Sequence, residues 1–247
     1  MKKLLSIFAA MLIATAATAQ TAEQNFHEAV ETFKAGKYTE AFSFFQKAAN
    51  QGHVTAQYNL GLCYDLGRGV AQNKQKAFEW YQKAAEQGFA DAQFNLGNCY
   101  FNGNGVAQNK QKAIEWFKKA AEQGYAMAQF NLGVCYDLGE GVAQNKRNAF
   151  EWYQKAAEQG LADAQFNLGY CYDLGRGVAE NKQKAFEWYQ KAAEQGYAMA
   201  QFHLGNCYNF GEGVAENLQK ALEWYQKAAE QGNEKAIEML KIVKAFE

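Results

Sequence analysis

Residues 92–124 read AQFNLGNCYFNGNGVAQNKQKAIEWFKKAAEQG, and this stretch decides the fold. Ala92, Leu96, Cys99 and Tyr100 recur at three- and four-residue spacing, which predicts one apolar face on a helix. The run Gly103-Asn104-Gly105 ends that helix, because glycine is a poor helix former. A second helix is expected to begin near Asn109, whose short polar side chain suits an N-cap, and to run to Gln123. Gly124 stops it, as glycine just beyond a helix C-terminus does. On the second helix Ala113, Trp116, Phe117, Ala120 and Ala121 are apolar, while Glu115 and Lys119 form a supporting i,i+4 pair. Neither helix can bury its apolar face alone, so such units must stack on one another.

The rest of the chain repeats this unit. Cys63, Cys99, Cys135, Cys171 and Cys207 stand 36 residues apart, and Trp80, Trp116, Trp152, Trp188 and Trp224 keep the same interval. Five units follow: 53–88, 89–124, 125–160, 161–196 and 197–232. Each holds four glycines at matching places, which with Gly36 and Gly52 account for all 22, so the glycine content is periodic rather than a mark of disorder. Residues 20–52 read as a degenerate N-terminal capping unit, in which YTEAFSFFQKAANQG echoes the second helix and Phe44 takes the Trp place. Residues 233–247 read as a C-terminal capping helix whose Glu234, Lys235, Glu238, Lys241 and Lys244 suit an outer face in water.

Residues 1–19 stand apart. Lys2 and Lys3 precede the mostly apolar run Leu4 to Ala14, and Ala17-Thr18-Ala19 fits the small-x-small cleavage rule. This predicts a bacterial-type signal peptide cleaved near Ala19, giving a periplasmic or secreted chain. The apolar run is short for a membrane span and no stop-transfer segment follows it, so no stable membrane insertion is expected. The net charge is −1 over the whole chain, and losing the two lysines takes it to about −3. Nucleic-acid binding needs a concentrated basic surface, so that class of partner is not expected.

The stretch LGLCYDLGRGVAQNKQKAFEWYQKAAEQG, residues 60–88, resembles the Sel1-like repeat, a relative of the tetratricopeptide repeat with a longer inter-helix loop. The resemblance covers residues 53–232 in five agreeing copies. It implies an all-α fold, an α/α right-handed superhelical solenoid of 36-residue helix-turn-helix repeats. It also implies an adaptor or scaffold that binds a protein or peptide. Some secreted, cysteine-rich members suggest an alternative, the binding or hydrolysis of cell-wall fragments or β-lactams. In those members paired cysteines stand eight apart; the matching positions here are Ala85 and Gln93, which cannot form a disulfide.

Geometry also argues against pairing the cysteines that are present. Equivalent residues on successive first helices should lie roughly 8–10 Å apart, whereas a disulfide needs Cα atoms within about 7 Å. Five is moreover an odd number. The expectation is buried free thiols acting as small apolar side chains.

Little in the sequence points to catalysis. Beyond residue 19 the one serine is Ser43, followed by Phe44, Phe45 and Gln46, so neither S-x-x-K nor G-x-S-x-G is present. His27, His53 and His203 are the candidate neutral-pH bases. His203 and Cys207 share a helical spacing that two metal ligands could use, but zinc needs three or four, and the other repeats carry Asn at the His203 place. The Gly-x-Gly pairs lie between helices with no strand before them, so they are turns rather than phosphate loops. No enzyme activity, cofactor or metal is expected.

Positions that vary among the five copies are the ones free to serve function. On the first helices they fall four, three and four apart, on one stripe. Repeat by repeat it carries Thr55, Asn59, Leu62, Leu66; Asp91, Asn95, Asn98, Asn102; Met127, Asn131, Val134, Leu138; Asp163, Asn167, Tyr170, Leu174; and Met199, His203, Asn206, Phe210. If the first helices line the inner curve, as the resemblance implies, the stripes tile a concave surface. Asn59, Asn95, Asn131 and Asn167, with His203 in the fifth place, form a ladder that could hold a peptide backbone, since an amide both donates and accepts. Met127, Tyr170 and Met199 beside it would then supply specificity. The alternative is that each Asn bonds to nearby backbone. The recurring Trp80-Tyr81 pair and its equivalents, Trp116-Phe117 in the second repeat, read as inter-repeat core.

Overall fold

A computed structural model describes residues 20–245. The expected signal peptide therefore lies outside the described residues. Among them all regular structure is helical, in thirteen helices: α1 Ala22–Lys34, α2 Tyr38–Asn50, α3 Val54–Leu66, α4 Lys74–Glu86, α5 Ala90–Asn102, α6 Lys110–Glu122, α7 Ala126–Leu138, α8 Lys146–Glu158, α9 Ala162–Leu174, α10 Lys182–Glu194, α11 Ala198–Phe210, α12 Leu218–Glu230 and α13 Glu234–Ala245. They form two compact units, one up to Gln108 with α1 to α5 and one from Asn109 with α6 to α13. In each unit consecutive helices pack in sequence, which is the arrangement of an α/α solenoid. No described helix is long and apolar enough to cross a membrane.

The helix ends obey the signals read in the sequence. Gly67, Gly103, Gly139, Gly175 and Gly211 cap the first helices in the left-handed region, at φ between 66° and 77°. The chain then turns back, and in the first unit Asn73 N–H donates to the Tyr64 carbonyl at 2.9 Å. Asn73 caps the next helix by accepting from Lys76 N–H at 2.9 Å, and Asn109, Asn145, Asn181 and Asn217 do the same. Each second helix ends at a glycine with φ near 90°, such as Gly160 at 91°, and the next helix starts two residues later.

Stacking, not the single hairpin, makes the core. In the second unit one buried cluster joins Ala149, Tyr153, Ala156 and Ala157 of α8 to Ala164, Leu168 and Cys171 of α9. Thus the second helix of one repeat shares its core with the first helix of the next. The small alanines bring the backbones close, while Leu60, Leu96, Leu132, Leu168 and Leu204 are fully buried. Burying such a leucine is worth about 1.5–3 kcal/mol. The loops lock neighbouring repeats too: a Cβ on Gly177 would strike the Lys146 carbonyl, and one on Gly141 would lie 2.6 Å from the Lys110 carbonyl.

The five cysteines are free and buried. Burial pushes the Cys63, Cys135 and Cys171 thiols up to about 11 and those of Cys99 and Cys207 to about 12. The place that the resemblance assigns to paired cysteines holds a different link. Gln93 donates its buried amide to the Ala85 carbonyl at 3.2 Å, and Gln129 does so to Ala121 at 3.1 Å. Gln129 in turn accepts from Gln159 Nε2 at 2.7 Å, so one buried glutamine ties its own repeat to the preceding one.

The Trp-Tyr pairs divide their roles within the inter-repeat packing. Tyr81, Tyr153, Tyr189 and Tyr225 are buried, with Phe117 in the same place. The tryptophans are half-buried. Trp152 and Trp188 pack against the rim of the α8–α9 cluster, and each tryptophan is covered by the lysine three residues on, as Lys191 lies 3.9 Å from the Trp188 ring. Lys47 stands over Phe44 in the same way at 5.0 Å, so the N-terminal unit keeps the pattern. At the other end Ala236 is buried with Met239 and Leu240 against the last core cluster, while Glu234, Lys235, Glu238 and Lys241 are exposed.

Candidate functional site

The variable stripe emerges on one face of the first helices in each unit. Its second and third positions are half-buried throughout, and its fourth is exposed. Ten large apolar side chains are exposed among the described residues, and six of them lie on this stripe: Leu66, Met127, Leu138, Leu174, Met199 and Phe210. Exposed apolar side chains scattered singly need no explanation, but a run confined to one face marks a surface made to be covered. In the second unit Met127 and Met199 stand at the start of the first helices, and Leu138, Leu174 and Phe210 at their ends.

Between the first stripe position, where Met127 and Met199 alternate with Asp163 in the second unit, and the apolar ends lies the asparagine position. Asn59 donates its amide to the Thr55 carbonyl at 2.8 Å, one turn back on its own helix. Asn95 lies beside the Tyr81 hydroxyl. Asn131 also has a partner within the chain. The ladder is therefore partly engaged with its own scaffold, at half-buried places where its remaining polar atoms can still meet a ligand.

In the second unit the ladder opens into a cleft of about 330 Å³, lined by Asn167, Tyr170, Met199 and His203 together with Tyr153, Phe166, Cys171, Asp137, Arg176 and Lys235. Four residues singled out on the sequence thus meet at one place. Met127 and Asn131 belong to the same face without lining the cleft, and Asn59 and Asn95 belong to the other unit.

The cleft is aromatic at its base. The His203 ring lies 5.3 Å from Phe166, 5.1 Å from Tyr189 and 6.3 Å from Tyr170, centroid to centroid. Burial among these rings pulls the His203 pKa below its ordinary value, opposed by the nearby Asp173 carboxylate and aided by Lys235. Neutral His203 keeps a donor and an acceptor, so it can serve as asparagine does elsewhere in the ladder.

Charge is concentrated at one edge. Arg176 Nη2 donates to both oxygens of Asp137 at 3.3 Å, and its guanidinium lies 5.4 Å from the Tyr170 ring centroid. Lys146 also binds Asp137, at 2.9 Å. Asp173 is held by Lys182 at 2.7 Å and by the Tyr189 hydroxyl at 3.1 Å. Cys171 reaches the lining, but with its thiol raised to about 11 it is neutral near pH 7 and a poor nucleophile. The arrangement suits binding rather than bond making.

Arg176, Lys235, Asp137 and Phe166 were not among the residues expected at the site. A signal for Arg176 exists in the repeats, since its loop place holds Arg68, Asn104, Glu140, Arg176 and Glu212 in turn. Lys235 comes from the terminal helix, outside the repeat pattern, and nothing in sequence joins it to His203.

Comparison with known proteins agrees with this architecture. Residues 35–53, 54–89, 90–125, 126–161, 162–197 and 198–233 match the family model of the Sel1 repeat. A solved structure of a protective antigen from uropathogenic Escherichia coli, described as displaying an SLR fold, is 38% identical with a TM-score of 0.88. That likeness covers 94% of this chain and 50% of the antigen. A Sel1 repeat protein from Oxalobacter formigenes is 39% identical with a TM-score of 0.80, over 87% of this chain and 86% of that one. DAP3-binding cell death enhancer 1 of Rattus norvegicus is 54% identical over 46 residues, which span 19% of this chain and 9% of that relative.

Proposed function

Because the chain belongs to the Sel1 repeat family, whose repeats serve as protein-interaction scaffolds, we propose that it is an exported, non-catalytic scaffold gripping an extended partner segment on its first-helix face. The observation that carries this reading is the confinement of six of the ten exposed large apolar side chains to that stripe. An extended segment lying across the helices would find half-buried amides at the asparagine positions and apolar contacts on either side. The methionines and leucines there adapt to more than one partner side chain. Export rests on residues 1–19, whose charge, apolar run and small-residue cleavage site have the form of a signal peptide.

The test uses the chain from residue 20 as bait in an envelope extract, beside a variant carrying Leu138→Ser, Leu174→Ser and Phe210→Ser. These side chains are exposed, so circular dichroism should show equal helix content for both baits. Partners cross-linked to the parent chain and lost from the variant support the reading. If both capture the same proteins, the first-helix face is not the binding surface.

A further inference from the structure

Because the repeats are close copies, the places where one departs from the others carry information. Three departures meet in the cleft of the second unit. Tyr170 stands where the other repeats have Leu62, Asn98, Val134 and Asn206, and His203 replaces the ladder asparagine. Arg176, matched only by Arg68 in the first repeat, stands where the others have Asn104, Glu140 and Glu212. Tyr170, Arg176 and His203 surround one space of about 330 Å³.

The charges at that space are unequal. Its lining carries the cations Arg176 and Lys235 and the single carboxylate Asp137, which is already held by both Lys146 and Arg176. Arg176 uses only Nη2 on Asp137, so Nε and Nη1 have no protein acceptor among the described residues. Lys235 is exposed and has no ion pair among them. The neighbouring Asp173 is paired with Lys182, which also faces Glu180 and Glu212 at 3.8 and 3.9 Å. The cleft therefore offers unused charged donors beside an aromatic base and has no unpaired carboxylate to repel an anion.

Resting on the peptide-gripping reading above, we infer that this cleft takes a carboxylate-bearing residue of the bound segment between Arg176 and Lys235, with an adjoining apolar residue against Phe166, Tyr170 and His203. Guanidinium suits this role, because it can hold Asp137 with one nitrogen and a ligand carboxylate with the others. Tyr170 beneath the guanidinium keeps it oriented. The carboxylate can be an Asp or Glu side chain or the C-terminal group of the partner, which share the same chemistry.

Immobilised octapeptide libraries, each fixing one residue at one position and ending in either a free acid or an amide, separate these sources. They are probed with the chain from residue 20 and with Arg176→Gln and Lys235→Gln variants. The parent should retain pools with Asp or Glu at one position, or free-acid pools, about tenfold above their Asn, Gln or amide counterparts, as loss of a charge-assisted hydrogen bond implies. Each variant should flatten that ratio while still retaining apolar-rich pools. Lys235 is exposed on the last helix, so its variant reads the preference even if Arg176→Gln disturbs the loop. Retention without an acidic preference, or a preference unchanged in both variants, overturns this inference and leaves the scaffold reading standing. No retention of any pool by the parent overturns the peptide-gripping reading and this inference with it.

Discussion

Replacing Gly133 by Ala should destabilise the protein, although the same change in an exposed helix stabilises it. Gly133 lies within α7, and alanine there gains about 0.5–1 kcal/mol in backbone entropy and helix propensity. The added methyl, however, would sit 2.5 Å from both Cδ1 and Cε1 of Tyr153 and 3.2 Å from its Cγ. Tyr153 is 4% exposed and packed among Ala149, Ala156 and Leu168, so the ring can yield only by disturbing that core where it borders the cleft. Overpacking of this kind costs about 1–3 kcal/mol, and the contact is close enough to place the cost in the upper part of that range. The net effect is a loss of about 1–2 kcal/mol, or roughly 2–8 °C in Tm for a chain of this size. Thermal unfolding followed by circular dichroism measures it, with Gly133→Ala repeated in a Tyr153→Leu background. There the ring is gone, and the substitution should become neutral or favourable. If Gly133→Ala alone raises Tm, helix propensity dominates and the account of close helix–helix approach through this glycine is wrong.

Other consequences follow from the same packing. Gln129→Ala should cost about 1–3 kcal/mol, read as a lower urea midpoint, because it removes two hydrogen bonds at once, the one to the Ala121 carbonyl, which keeps only backbone donors such as Gly124 N–H, and the one from Gln159. His203 is held below its ordinary pKa of about 6.5, so the unfolded chain binds its proton first and stability falls as pH drops through that value. His203→Asn, the residue at this place in the other repeats, should remove that part of the pH dependence, measured as the difference in Tm between about pH 7.5 and pH 5. With thiols raised to about 11 or 12, all five cysteines should resist a disulfide reagent in the native protein and react once it is denatured. Rapid native labelling would contradict the core described for them.

Much of the fold was legible because each repeat samples the same structural solution. The Asn109 N-cap, the Gly103 stop and the apolar spacing of Leu96 and Cys99 are local signals, and α5 and α6 lie where they direct. The division into two units was not legible. It falls between Gln108 and Asn109, in GNGVAQN, a loop almost identical to GRGVAQN of the preceding repeat. That the tryptophans are only half-buried is not visible in the sequence, because an invariant aromatic reads as core and nothing marks the lysine three residues on as its cover. The stripe could be drawn from the spacing of variable residues alone. Its sharpening into a cleft could not, because Arg176 acts through Asp137 on the preceding repeat and Lys235 arrives from the terminal helix. The asparagine ladder shows the same limit: sequence cannot tell that Asn59 spends its amide on its own helix.

The central claim, that the first-helix face is where a partner lies, is tested most directly by photo-crosslinking from chosen positions in the cells that make the protein. A photoreactive phenylalanine replaces Leu174, exposed on that face, or Glu187, exposed on the second helix of the same repeat. The account predicts a discrete cross-linked protein from position 174 and none from position 187. Adducts from 187 with none from 174 would contradict it.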